Sequence, residues 1–367
     1  MSWDEVAHAV SILQVNLLER SILSNDRNVE STVESSEIRK NEIMTSLREL
    51  FYGLKDSRDR NEVLHIHYGE NQRMTCMPHD SGIGYYVALI VEKMYLNVLT
   101  KTYSTRRSIY YERPEIFKTQ AAVDSAVNRV CHILDLPQWE LGILSTSKGL
   151  IYGPLIIRLA SGLEIDCTGQ NGGTLIPQDL SNGAELETGA NFALVVEKDT
   201  VFQKLLHTEL GQPQSRCILV TGKGYPDLNT RLLVRKITTE LMLPTFAIVD
   251  GDPHGVEIFF NYKYGSMSQH HLNRVLAAPD IFWLGVHPSD MINLPEDQLI
   301  PQNPSDVAKI KTFFQRKYVI DCQPLHDQLS ELFRCQRKCE IEALYHFSHK
   351  YLSDTYIPLK ISSGQFL

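Results

Sequence analysis

The chain has 367 residues, 43% of them apolar and 22% charged, and a net charge of −8. That length exceeds one ordinary hydrophobic core and points to about two domains, in a composition that is neither disordered nor fibrous. The acidic balance excludes a protein that coats nucleic acid over its whole surface, but not one with a local basic groove.

In chain order, Ser2-Trp3-Asp4-Glu5 reads as a capping box. It opens a helix that aligns Trp3, Val6, Val10, Leu13 and Leu17 on one stripe. The polar stretch from Ser24 to Asn41 offers that stripe no neighbour, so it either folds back on the body or docks a partner. A second helix is expected from Ile43, then a charged turn from Lys55 to Arg60 and a strand from Val63 to Tyr68. A long helix, about Tyr85 to Leu99, turns Val87, Ile90, Val91, Met94 and Val98 inward. The longest apolar run, Gly82 to Val91, meets Glu92 and Lys93 at once, so no membrane span is expected. No charged-then-apolar leader stands at the N-terminus, so no secretory signal is expected either.

From Thr100 to Tyr111 the chain is hydroxyl-rich, basic and aromatic, without an acid before Glu112, and reads as the turn between two helices. The next helix, Gln120 to Leu134, is amphipathic through Val123, Ala126, Val127, Val130 and Leu134. With small strands at Leu141 to Leu144 and Ile151 to Ile156, this pattern is similar to a winged helix, which lays its second helix on DNA. Arg106 and Arg107 can neutralise and orient a phosphate by bidentate contacts. A tyrosine beside them is a candidate nucleophile, since a phenol of pKa about 10 is drawn toward phenolate by neighbouring cations. Its attack on a phosphodiester would give a phosphotyrosyl bond and consume no water. Two adjacent tyrosines in an arbitrary protein are more often aromatic packing; here they share a chain with a particular set of acids.

Those acids follow short apolar runs. Phe192 to Val196 is closed by Glu197, Cys217 to Val220 by Thr221-Gly222-Lys223-Gly224, and Thr245 to Val249 by Asp250-Gly251-Asp252-Pro253-His254-Gly255. Runs without alternation read as strands buried on both faces, and Thr200 to Leu210 and Leu228 to Leu241 read as the helices between them. Such a β-α-β-α-β unit binds ligands outside the carboxyl ends of its strands, so Glu197, Asp250 and Asp252 face one crevice. Asp and Gly are common turn formers, but two carboxylates flanking a Gly repel each other without a cation. Three carboxylates suit a hard ion, Mg²⁺ or Mn²⁺. Gly222-Lys223 is not a P-loop, because Cys217 stands five residues before Gly222 and Gly224 follows Lys223, so no ATP site is expected. His254 is either a turn residue or a group near the reacting phosphate. Seven scattered cysteines fit a reducing compartment, and Cys335 and Cys339, one helical turn apart, lack a partner pair for zinc. Phe282 to Val286 is one more expected strand, and Leu325 to Leu352 is expected to be helical.

A Glu after one strand and a D-x-D after a later one is similar to the toprim pattern. Several further motifs accompany it: Arg107 to Tyr111, Ser145-Thr146-Ser147-Lys148-Gly149-Leu150, Val195-Val196-Glu197-Lys198-Asp199, Thr221 to Asp227 with Arg231, Val249 to Glu257, and Tyr262 to Ser266. On these the chain from about Thr100 onward resembles the meiotic DNA double-strand-break transesterase family, homologous to the A subunit of archaeal DNA topoisomerase VI. The resemblance implies a multi-domain α/β protein, a winged-helix-like domain followed by a toprim domain with a mostly parallel sheet. The expected divisions are 1–42 for partner docking, 43–160 for the domain carrying the tyrosine, and 161–367 for the toprim domain with a helical extension.

By the same resemblance Tyr111 is the nucleophile and Tyr110 its packing neighbour, while Arg107 orients the phosphate. Glu197, Asp250 and Asp252 hold Mg²⁺, with Mn²⁺ as the alternative, and Arg106, Lys148, Lys223 and Tyr225 contact DNA. The implied partners are double-stranded DNA, a second copy whose acids complete the site of the first copy's tyrosine, a subunit resembling the topoisomerase VI B subunit docked on Trp3 to Leu17, and other meiotic break-forming proteins, all on chromosomes in the nucleus. Ser108 departs from the pattern, where an acid usually follows the Arg. The alternatives are the A subunit of a topoisomerase VI-type enzyme, a primase or water-using nuclease, and a toprim scaffold that has lost cleavage.

Overall fold

In this computed structural model, which describes residues 3–24, 33–68, 73–77, 82–169, 171–212 and 216–367, the chain parts into two units. One comprises Met1–Asp26, Ser147–Ser268 and Asn273–Leu367, the other Arg27–Thr146 and Gln269–Leu272. The first helix, α1 (Trp3–Ser24), belongs to the larger unit. Its expected stripe folds back: Val6, Val10 and Leu17 are buried, and Trp3 stacks on Phe192 with ring centroids 6.5 Å apart. Ile12, Val15 and Leu18, at the positions between, stay about half exposed. The Ser2 half of the capping box lies outside the described residues.

The smaller unit holds α2 (Val33–Arg60), the antiparallel pair β1 (Leu64–Tyr68) and β2 (Arg73–Met77), then α3 (Gly82–Thr100), β3 (Ser104–Thr105), α4 (Arg106–Glu112), α5 (Pro114–Phe117), α6 (Gln120–Leu134) and β4 (Ile143–Leu144). The charged stretch from Lys55 to Arg60 is not a turn but the end of α2, which also begins well before Ile43. Lys, Arg and Glu are good helix formers, and Ile43, Leu47, Leu50 and Leu54 give the helix a buried stripe at helical spacing. That stripe joins Ile90, Val91 and Met94 of α3 and Val123, Val127 and Val130 of α6 in one core. The tyrosine segment is likewise helical rather than a turn. β3 and β4 pair in parallel, Ser104 with Ile143 and Thr105 with Leu144, and so fix the start of α4.

The larger unit continues with β5 (Leu150–Tyr152), β6 (Leu155–Arg158), β7 (Glu164–Asp166), β8 (Thr174–Leu175), β9 (Glu185–Thr188) and β10 (Phe192–Val196). After α7 (Asp199–Leu206) come β11 (Cys217–Thr221), α8 (Leu228–Thr239), β12 (Thr245–Ile248), α9 (Pro253–Lys263), α10 (Asn273–Leu276) and β13 (Ile281–Gly285). A six-stranded sheet runs in the order β13-β12-β10-β11-β5-β8, with the first four strands parallel, β5 antiparallel to β11, and β8 antiparallel to β5. Every residue of β10, β11 and β12 is buried, which is why these strands lack alternation. The segment from Ile151 to Ile156, grouped by its sequence with the winged-helix pattern, instead supplies β5 to this sheet and begins β6, the centre of a small antiparallel sheet β7-β6-β9. Beyond β13 lie β14 (Ile300–Pro301), α11 (Pro304–Phe313), α12 (Lys317–Ile320), α13 (Gln323–Cys335), β15 (Arg337–Lys338) and α14 (Ile357–Ser362), the last packed beside α1. The helix expected from Leu325 to Leu352 ends at Cys335, because Gln336 takes a left-handed conformation with φ 51°. Cys335 and Cys339 are therefore not one helical turn apart.

Candidate functional site

The register of the parallel strands brings the acids together. Val196 pairs with Ile248 and Thr221, so the ends of β10, β11 and β12 are level. Glu197 Oε2 accepts the backbone N–H of Asp250 at 2.8 Å, spanning the two strand ends directly. Asp252 caps α9 by accepting the Gly255 N–H at 2.6 Å, with Pro253 at the first helical position. Gly255 is needed there, since a Cβ would lie 2.4 Å from the Asp250 carbonyl oxygen. Asp250 is held on both oxygens: Oδ1 accepts the Ile341 N–H at 2.8 Å, and Oδ2 lies 3.2 Å from the Lys198 ammonium.

This crevice is costly for charge. Burial first, then the charge of Asp250, pushes the Glu197 carboxyl well above the usual range. Burial also raises Asp250; the Ile341 N–H and Lys198 work against that rise without cancelling it. Among the described residues no three His, Cys, Asp or Glu side chains already form a metal cage. The donor set nevertheless fits a hard divalent cation. It consists of carboxylates without soft ligands, and a cation would relieve the burial and repulsion that now oppose their charge.

Beside the acids, Asp227 joins two loops. Its Oδ1 caps α8 by accepting the Thr230 N–H at 2.9 Å, and its Oδ2 accepts the N–H groups of Lys148 and Gly149 at 2.9 and 3.2 Å. Gly149 could carry no side chain, because a Cβ would meet Thr230 Oγ1 at 2.1 Å. Lys148 is exposed and donates to the Lys223 carbonyl at 3.3 Å; Lys223 in turn pairs with Asp199 at 3.2 Å. The Tyr225 hydroxyl donates to Glu257 at 2.6 Å, and Glu257 also receives Lys309 and Arg316. His254 lies 3.4 Å from the Lys309 ammonium through Nδ1.

On the smaller unit α4 presents the tyrosines. Thr105 caps it reciprocally with Ser108: the Ser108 N–H donates to Thr105 Oγ1 at 3.0 Å and the Thr105 N–H to Ser108 Oγ at 2.9 Å. The position where the resemblance expects an acid is therefore the third residue of a capping box. There Ser supplies the acceptor that Glu or Asp would. Ile109 is buried and anchors the helix, Tyr110 is half-buried against Tyr111, and Tyr111 is 61% exposed. Arg107 is exposed, with its guanidinium carbon 5.8 Å from the centre of the Tyr111 ring. Arg106 turns inward instead, donating to Gln138 Oε1 at 3.0 and 2.6 Å and to Asn128 Oδ1 at 2.6 Å, and lying 3.5 Å from Asp124. Arg106, Arg107, Tyr110, Tyr111 and Asp124 line a groove of about 450 Å³ with Gln120, Leu144, Ser145 and Thr146.

Sequence reasoning gave Lys198 no role and missed Ile341, which reaches Asp250, and Glu340 and Glu342, which reach Lys198, all from a distant segment. Lys198 could have been suspected from its place next to Glu197. Nothing in the sequence signals the approach of Glu342, which is 144 positions from Lys198.

A mostly parallel sheet with a Glu and a D-x-D at its strand ends is a toprim domain, and the family model for the Toprim domain of Spo11 and the topoisomerase 6 A subunit matches residues 192–361. A second, described as "Type IIB DNA topoisomerase", matches residues 86–143. The chain belongs to the family that unites Spo11 with the topoisomerase 6 A subunit. It is 42% identical to meiotic recombination protein SPO11 of Mus musculus over 281 residues, 76% of this chain and 71% of the mouse protein. The human SPO11 is 41% identical over the same shares, and the A subunit of DNA topoisomerase 6 from Arabidopsis thaliana is 33% identical over 73% of this chain and 63% of that protein.

Proposed function

We propose that this chain is a topoisomerase-like DNA transesterase that makes meiotic double-strand breaks, with Tyr111 as its nucleophile. The observation that carries this reading is the exposure of Tyr111, at 61%, on a capped helix beside Arg107, within the stretch matched by the type IIB topoisomerase model. The names of the mouse and human relatives support the meiotic part.

In the step proposed, the Tyr111 oxygen attacks a backbone phosphorus and gives up its proton. The new O–P bond forms at a 5′ phosphate as the P–O3′ bond breaks, and the 3′ oxygen leaves as a hydroxyl. Arg107 orients the phosphate by its guanidinium fork. Arg106, committed to Gln138 and Asn128, acts by holding α4 in place. Lys148, Lys223 and Tyr225 meet the DNA from loops tied together by Asp227. Glu197, Asp250 and Asp252 would hold Mg²⁺, or Mn²⁺ in its place. Such an ion, when bound, supplies neutralising charge to the scissile phosphate and the leaving oxygen.

The active form proposed is a homodimer on double-stranded DNA, and each copy remains joined to one 5′ end. A subunit resembling topoisomerase VI B is proposed to dock on α1. Val10 is buried, so the face left for that partner is Ile12, Val15 and Leu18. The expected place of work is chromosomes in the nucleus.

Recovery of protein covalently attached to DNA 5′ ends from germ cells tests the reading. Adducts with the wild-type chain and none with Tyr111→Phe are expected. Breaks without adducts would replace it with a water-using nuclease, and neither breaks nor adducts with a non-catalytic scaffold.

A further inference from the structure

One basic side chain lies among the acids and has no part in the proposed chemistry. Lys198 follows Glu197 directly, and its ammonium lies within 2.8 Å of Glu342, 3.2 Å of Asp250 and 3.3 Å of Glu340. Glu342 is fixed from its other oxygen, which accepts the Thr200 hydroxyl at 3.1 Å. The segment carrying Glu340 and Glu342 is itself docked on the strand end, with the Cys339 N–H donating to the Gly251 carbonyl at 3.2 Å and the Ile341 N–H to Asp250.

An ammonium and a divalent cation cannot share the same face of one carboxylate oxygen, because like charges at contact distance repel strongly in a partly buried crevice. Lys198 therefore competes for Asp250 Oδ2. It is not obliged to stay there: two carboxylates that are not proposed ligands already lie within 3.3 Å, so leaving Asp250 does not strand its charge. We propose that Lys198 is a mobile counter-ion that sets cation affinity, holding Asp250 until a divalent ion takes that oxygen and then withdrawing onto Glu340 and Glu342. This inference rests on the reading of Glu197, Asp250 and Asp252 as the cation site and assigns Lys198, Glu340 and Glu342 as positioning residues for it.

The competition gives opposite signs to neighbouring substitutions. Lys198→Met removes the competitor and should tighten binding of Mn²⁺ to the full-length protein about fivefold, read as free Mn²⁺ by electron paramagnetic resonance. Glu342→Gln should weaken it by about the same factor, since Lys198 is thrown back on Asp250. The deciding measurement is the double variant. If Glu342 acts through Lys198, Glu342→Gln changes the affinity of the Lys198→Met protein by less than about twofold.

An equal loss in both backgrounds would mean that Glu342 acts on the cation through space alone, and would overturn the proposal, as would weaker binding by Lys198→Met in a protein whose melting is unchanged. Lys198→Gln, which retains the stem and a polar end, covers the case in which the Met variant does not fold. Asp252→Asn separates the two levels. If it leaves Mn²⁺ binding unaltered, or the wild type binds none, the cation site itself is misplaced and both readings fall. If it abolishes binding and the double variant behaves additively, only the role of Lys198 falls.

Discussion

The acids and the tyrosine are held in opposite ways. Asp250 is buried and engaged on both oxygens, and Glu197 spans two strand ends, in a crevice that opposes their charge. Tyr111 projects from a seven-residue helix with most of its surface in solvent. Where charge must be concentrated the fold commits its most rigid element, the parallel sheet. The exposed tyrosine stands instead on a short helix pinned at one end by a cap and a two-residue strand pair. The sheet stores electrostatic opposition that a ligand can relieve; the helix stores almost none.

Among substitutions that leave Tyr111 in place, the largest effect should come from the side that carries the charge. Glu197→Gln or Asp252→Asn is expected to cut adduct formation by about 10²-fold or more while leaving the fold intact. Glu197→Gln should also melt higher than the wild type in the absence of divalent ions at a pH above about 8, since its amide oxygen can still accept the Asp250 N–H without the buried charge. Adducts at the wild-type rate from Glu197→Gln would show that the contrast has no catalytic meaning.

The pH dependence of stability sharpens the comparison within the larger unit. The folded pKa of Glu197 is raised, so its contribution is fully present below the ordinary carboxylate pKa and is lost as pH rises through the folded value. His287 has the opposite sign. Burial first, then the charge of Lys360, lowers it from 6.5 to about 4, so its contribution is present above 6.5 and is lost as pH falls toward 4. Between 4.5 and 6.5 the two oppose each other, so thermal melting in a divalent-free buffer should fall most clearly as pH rises from 6.5 to about 8, where Glu197 acts without His287. Glu197→Gln should flatten that fall, and an unchanged fall would refute the assignment.

The smallest effects belong to the cap of the tyrosine helix. Thr105→Ala should cost about 1 kcal/mol of stability and Ser108→Ala somewhat less, each with a few-fold loss of adducts. Ser108→Glu should restore or improve the cap, since Glu is the usual third residue of a capping box. If Ser108→Glu raises adduct formation far more than it raises melting temperature, the acid expected there has a chemical role beyond capping.

Much of the larger unit is legible in the sequence because its signals are local. Unalternating β-branched runs mark doubly covered strands, and the acids that close them stand next to those runs in the chain. The smaller unit is harder to read. Lys55 to Arg60 looks like a turn when charge is weighed above helix propensity, and the tyrosine segment reads as a turn although Thr105 and Ser108 stand three apart, as cap and partner do. Ile151 cannot be assigned to the large sheet from its neighbours, since strand pairing across 69 positions, as with Val220, leaves no local trace. Among the site residues, those that face solvent or close a strand can be named from sequence. The inward turn of Arg106 and the approach of Glu340 and Glu342 depend on tertiary packing that no spacing encodes.

The carboxylate of Asp227 has a kinetic consequence. The amide protons of Lys148, Gly149 and Thr230 all end on that one side chain, although Lys148 and Thr230 are 82 positions apart. None can be released by Asp227 swinging away without releasing the others, so under native conditions their hydrogen exchange should follow one shared opening event. The loops carrying Lys148 and Tyr225 would then loosen and close as a single jaw rather than as two independent fingers.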